Sequence, residues 1–196
     1  TIVALALAVI LLAAVAYAAV ARWGIFNFWE YRYGITVPQE NRNALQTDLI
    51  QSGGADGEVV FGVREALYDG VWLHLIVEVR PKDPAKVLLM GVGLSPGDTI
   101  SNAGPLYKGD ERTFAQAARE EGKRLLEANM GVKAGDSSVT DTIDSLLGEE
   151  GTLTMHLSGP LQTDAQTLAL DCDYFLVEWQ DEKTPLGDQR IRGRFS

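Results

Sequence analysis

From Val71 to Arg80 the chain alternates. Val71, Leu73, Leu75, Val77 and Val79 fall on one face of an extended strand, and Trp72, His74, Ile76, Glu78 and Arg80 fall on the other. Just upstream, Val59, Phe61 and Val63 alternate with Val60 and Gly62, and Tyr68-Asp69-Gly70 stands between the two runs. Asp-Gly tolerates the positive φ of a tight hairpin turn, so the pattern predicts a β-hairpin. Pro81 and Pro84 close its second strand. Val87–Leu94 (VLLMGVGL) follows as a buried strand, with Ser95–Asp98 (SPGD) as a turn after it.

The next stretch is helical in pattern. Asp110 is placed to cap a helix over Glu111–Glu121, with Phe114, Ala117 and Ala118 along one side and Gly122 as its left-handed stop. Lys123–Val132 satisfies helix propensity and also alternates Leu126, Ala128, Met130 and Val132 as a strand would. Ser138–Gly148 reads as a short helix or turn region with Ile143, Leu146 and Leu147 inward. The last third is β in pattern. Leu153, Met155 and Leu157 alternate over Thr152–Ser158, and Thr167–Gln180 is long enough to bulge near Tyr174-Phe175, where its apolar parity changes. Gln189–Ser196 puts Arg190, Arg192 and Arg194 on one face, a charge ladder suited to an edge strand. Strands separated by turns and one or two short helices predict a mainly β domain: an antiparallel, Ig-like sandwich over 58–196.

The N-terminal end follows a different pattern. Ile2 to Ala16 carries no polar side chain, and the apolar run continues to Ala21. A helix of that length spans about 30 Å, the hydrocarbon thickness of a bilayer. Residues 1–22 therefore read as a transmembrane helix that anchors the chain to the membrane through Thr1–Ala21. They also fit a signal peptide, because Ala16-Tyr17-Ala18 and Ala19-Val20-Ala21 match the A-x-A cleavage pattern. Neither a Met nor a basic flank precedes the run, so the chain is expected to be a fragment whose upstream part is missing. On either reading the polar part lies outside the cytoplasm, in one case on a single-pass cell-membrane protein and in the other as a secreted chain.

Residues 23–57 form a juxtamembrane section. Trp23–Tyr33 (WGIFNFWEYRY) is rich in aromatics that suit either the lipid interface or the surface of the domain. Pro38 breaks regular structure, Glu40–Gln51 predicts a short amphipathic helix or ordered linker, and Ser52–Gly57 (SGGADG) predicts a flexible break.

Charge narrows the function classes. A net charge of −10 disfavours a nucleic-acid surface, which needs clustered Lys and Arg, and equally a domain lying on anionic lipid. Roughly 170 residues beyond the apolar run suit one domain with a full core. The single cysteine, Cys172, excludes an internal disulfide and a multi-cysteine zinc site, and its alternating surroundings predict a buried thiol.

Candidate chemistry is sparse. No G-x-S-x-G, P-loop or H-E-x-x-H motif occurs, and Gly91-Val92-Gly93 lacks the third glycine of a dinucleotide site, leaving a turn or bulge. His74 and His156 fall on the non-core faces of two predicted strands and would meet only if those strands are neighbours. Asp171 and Asp173 share a strand face, while Glu149/Glu150 and Asp181/Glu182 lie in loops; none forms a calcium-loop pattern, and solvated faces are the simpler reading. Trp72 suits a glycan or partner contact, or a second packing layer. No catalytic, cofactor-binding or metal-ligating residue is assigned, and the expectation is a non-enzymatic domain without a cofactor.

The run EALYDGVWLHLIVEVRPKD, beginning at Glu65, resembles the hairpin of an extracytoplasmic domain of unknown function found after a single membrane span in Gram-positive bacteria. FAQAAREEGKRLL (Phe114–Leu126) resembles that family's helix, and EEGTLTMHLSGPL (Glu149–Leu161) a later strand and turn. The resemblance implies that Lys123–Val132 starts a strand. Members of the family look like the outer halves of anti-sigma factors. The resemblance therefore implies a sensory or structural outer domain, with a cytoplasmic sigma factor as partner through an upstream segment not present here. The alternative is a secreted or surface-anchored adhesion module that binds glycan or protein through aromatics such as Trp72.

Overall fold

A computed structural model describes residues 24–38, 46–56, 59–68, 71–134, 137–140, 142–162 and 170–195. The apolar Thr1–Ala21 lies outside the described residues, among which no helix is long and apolar enough to cross a membrane.

Among the described residues the fold is mainly β, with two short α-helices. One sheet has the order β1 (Gln46–Asp56), β2 (Val59–Tyr68), β3 (Trp72–Pro81), β8 (Leu153–Pro160) and β7 (Thr142–Leu147). The other has the order β10 (Pro185–Phe195), β9 (Leu170–Trp179), β5 (Arg124–Ala134) and β4 (Val87–Met90), with the two-residue β6 (Ser137–Ser138) also pairing β5. The hairpin forms as the alternation predicts, with Tyr68 opposite Leu73 and Val59 opposite Pro81. Asp69 and Gly70 fall outside the described residues.

The apolar faces of both sheets meet in one core. Phe61, Leu75, Val77 and Met155 from the first sheet pack in the same cluster as Leu89, Met130 and Val132 from the second. Val71 departs from the predicted face and is exposed.

Several expectations are corrected. The sheets are not wholly antiparallel, because β4 and β5 run parallel, Val87 to Met90 beside Arg124 to Glu127. Parallel neighbours need a crossover, and helix α2 (Phe114–Glu120) lies in the connection between them. That helix starts later than predicted. Its cap is Thr113, not Asp110: the Gln116 N–H donates to Thr113 Oγ1 at 3.1 Å, and the Gln116 side chain accepts from the Thr113 N–H at 3.0 Å. The pair is a capping box, and Asp110 instead binds Arg112. Gly122 does take the left-handed conformation, at φ 66°. Ser138–Gly148 contains strand β7, not a helix, because Ile143, Ser145 and Leu147 pair with β8 at period two. From Gln46 the predicted helix or linker is also strand, and Ser52–Asp56 continues it as the edge strand β1 against β2. β9 pairs β5 from Leu170 to Trp179 without a register shift, so no bulge occurs there. β10 is an edge strand; the side chains of Arg190, Arg192 and Arg194 are outside those described.

Candidate functional site

A second apolar cluster sits on the face of the first sheet turned away from the core. Helix α1 (Ile25–Tyr33) carries Ile25, Phe28 and Trp29 at helical spacing, and it lays them against Ile76 of β3 and Leu146 of β7, with Leu67 of β2 beside them. Ile25, Phe28 and Ile76 are fully buried. Phe26, Phe28 and Trp29 of this segment are therefore packed on the sheet, one of the two uses its composition allows, while Tyr31 and Tyr33 are exposed.

Both helix ends are fixed. The Ile25 N–H donates to Glu65 Oε2 at 2.7 Å, so a carboxylate of the neighbouring strand caps the helix in place of a local side chain. Gly24 permits that approach, because a Cβ there would lie 2.7 Å from the Glu65 carboxylate. Gly34 ends the helix at φ 66° with its N–H donating to Glu30 O at 3.1 Å. Near that end Arg32 forks onto Asp144 of β7, Nε to Oδ2 at 2.8 Å and Nη2 to Oδ1 at 2.7 Å.

Under the helix lie the two histidines. β3 and β8 are neighbours, His74 opposite Ser158 and Ile76 opposite His156, so the histidines lie diagonally on one face and meet. His74 Nδ1 is 3.4 Å from His156 Nε2, with ring planes 10° apart and centroids 5.6 Å apart. At that centroid spacing 3.4 Å is close to the shortest separation two parallel imidazoles allow, so the nitrogens face one another edge to edge. The Trp29 indole N–H donates to the same His156 Nε2 at 3.4 Å. Phe28, Trp29 and Tyr33 ring His156, and Trp29 and Trp72 flank His74.

His156 is 3 % exposed, and its Nδ1 has no hydrogen-bond partner among the described residues. Burial, with a further push from His74 against a weaker pull from Asp144, lowers it from 6.5 to about 4. The contacts assign its tautomer: Nε2 accepts from Trp29, so the hydrogen sits on Nδ1.

Beside this site Arg64 is buried and paired with Glu78, which also binds Arg80; Arg64 Nε and Nη2 are buried without a hydrogen bond. Burial pushes the Glu78 carboxyl up, but Arg80 and Arg64 together outweigh it and hold it below the usual carboxylate range. Stability from Glu78 is thus present above its unfolded value and lost as pH falls through the lower folded value. Glu78→Gln should cost about 3 kcal/mol, because it leaves the buried Arg64 guanidinium with only the 3.6 Å contact to Glu65 as an ion pair, and it should flatten the acid limb of stability. An unchanged urea midpoint would remove the pair from the account.

The remaining sequence candidates do not converge on this site. Glu149, Glu150, Asp181 and Glu182 are exposed, with Asp181 accepting from the Lys183 and Thr184 N–H groups. Trp72 is half-buried, with its ring nearly parallel to that of His74. Asp171 pairs in register with Lys133, while the side chains of Cys172 and Asp173 are outside those described. Among the described residues no group of three or more His, Cys, Asp or Glu is placed to hold a metal ion. Gly91–Gly93 is a turn at the end of β4, with Gly93 at φ 82°.

Ile76 and Leu146 were the signals that could have located this site. Both are apolar residues on faces otherwise polar, which marks a sheet covered on both sides. No family model, curated protein or solved structure matches the chain.

Proposed function

We propose that this chain is the non-catalytic outer domain of a single-pass membrane protein, anchored through Thr1–Ala21, and that it serves as the sensory or structural half of an anti-sigma-type regulator. The observation that carries the reading is the docking of α1. The first described element after the apolar run is held on the sheet by apolar packing, by Glu65 at one end and by Asp144 near the other. A change in the domain would thus reach the membrane segment through a fastened helix, where a loose linker would absorb it. The finer fold reading, an Ig-like arrangement, rests on the two sheets sharing one core, with the parallel β4–β5 pair as a departure from that plan. The resemblance carried by the run from Glu65 supports the same role.

The alternative, an adhesion module, would use exposed aromatics for glycan or protein. The half-buried Trp72 and the helix over His74 commit much of that aromatic surface to internal packing.

Reporter fusions after Ser196 test the compartment: a reporter active only outside the cytoplasm should give signal, and one active only inside should not. The gene sequence upstream of Thr1 tests the role. A cytoplasmic arm able to bind a sigma factor is expected, whereas a Met and a few basic residues would remove the regulator reading.

A further inference from the structure

We propose that His74 and His156 form an acid-released latch, in which gain of a proton by His156 undocks α1 from the sheet while the two-sheet core stays folded. The inference concerns how α1 is held and does not depend on the proposed function.

The geometry offers a second hydrogen on His156 only one poor acceptor, His74 Nδ1 at 3.4 Å. Its Nε2 faces the Trp29 N–H and His74 Nδ1, each at 3.4 Å. Protonated there, it would set N–H against the indole N–H, and at His74 it would need the facing nitrogen to accept. Its Nδ1 is already buried without an acceptor among the described residues. A cation at this position would therefore be enclosed by Phe28, Trp29 and Tyr33, with the 3.4 Å contact to His74 Nδ1 as its one hydrogen-bonding compensation.

The charged and titratable groups around the pair add little to that compensation. From α1, Arg32 is itself a cation and Tyr33 presents its ring. From β7, Asp144 sits opposite His156 but is forked by Arg32. From β2, Glu65 is engaged with the Ile25 N–H, and on β3 Glu78 is bound to Arg64 and Arg80. The undocked helix would free Nε2 and both ring edges to water. The apolar cluster under α1 is separate from the main core, so opening one does not require opening the other.

The sign follows from the lowered value of His156. Its docked state holds the neutral ring down to about 4, against 6.5 when released. Docking is then at full strength above the released value and is lost progressively as pH falls toward the docked one. Between about pH 7.5 and about pH 5 the docking constant should drop roughly 30-fold.

Hydrogen exchange of the full 196-residue chain in detergent or nanodiscs, corrected for intrinsic rates, reads this directly. Amides within Ile25–Tyr33 should lose protection by roughly that factor at about pH 5 while those of β5 keep theirs, and His156→Phe should abolish the pH response. Unchanged α1 protection in the natural chain overturns the latch. A pH response that persists in His156→Phe also overturns it, by assigning the effect to His74, Glu65 or Asp144. Should His156→Phe not fold, an NMR titration of the natural chain decides: His156 titrating well below its ordinary value supports the latch, and ordinary titration with α1 docked contradicts it.

Discussion

Phe28→Ala is expected to free α1 from the sheet and leave the two-sheet core standing. Phe28 is fully buried between the helix and the outer sheet face, and its ring packs 5.3 Å from that of His156. Truncating a buried Phe removes its apolar burial and leaves a cavity, together about 3–5 kcal/mol. A helix this short has no stability of its own in water, so the loss falls on docking and the segment should unfold locally. Trypsin reports the outcome, because Arg32 lies in α1 and is tied to Asp144 while docked. Cleavage after Arg32 should speed up by roughly 100-fold or more, following the population of the open state. An unaltered cleavage rate would mean that α1 is not held by this cluster.

Gly91→Ala should be among the most damaging single changes in the core. Gly91 is buried where the end of β4 passes against β7, and a Cβ there would lie 2.5 Å from Ser145 Cβ and closer still to its Oγ. Leu153 Cδ1, at 3.3 Å, restricts retreat on another side. Overpacking of this kind costs about 1–3 kcal/mol or more, which corresponds to a fall in Tm of several degrees, about 2–4 °C per kcal/mol for a domain of this size. Ser145→Gly in the same chain should recover much of the loss, since it removes the atoms that clash. A Tm within a degree of the natural chain for Gly91→Ala alone would show that the sheets are further apart than described.

Much of the fold was legible because the sheets obey period two. The hairpin from Val59 to Pro81, the strand from Leu153 and the buried strand from Val87 all follow from alternation and turn residues. Other features depended on partners distant in sequence. β1 carries Ser52-Gly53-Gly54, which locally signals a turn, yet it pairs with β2 as a sheet edge. β7 has mixed propensity, and its neighbour β8 decides it. The parallel β4–β5 pair was hidden because a single crossover helix does not produce the regular strand–helix alternation that marks parallel sheets.

The site was half legible. His74 and His156 were visible as residues that meet if their strands are neighbours, and the sheet order makes them neighbours. The covering helix could not be placed from Trp23–Tyr33 alone, because its aromatics serve membrane interface and domain surface equally well. Glu65 as the helix cap was out of reach for another reason: it lies far along the chain and acts through Gly24, whose missing side chain is the only local trace.

The central claim is that the segment following the apolar run is docked over the histidine pair. In the full chain at neutral pH, with tryptophan and histidine labelled, NMR should show a nuclear Overhauser effect between the Trp29 indole N–H proton and the His156 ring, placed by the 3.4 Å contact between them. That cross-peak, together with slow exchange of the indole proton, is the predicted result. A Trp29 N–H that exchanges freely and shows no contact with His156, in a chain whose β5 amides remain protected, would contradict it.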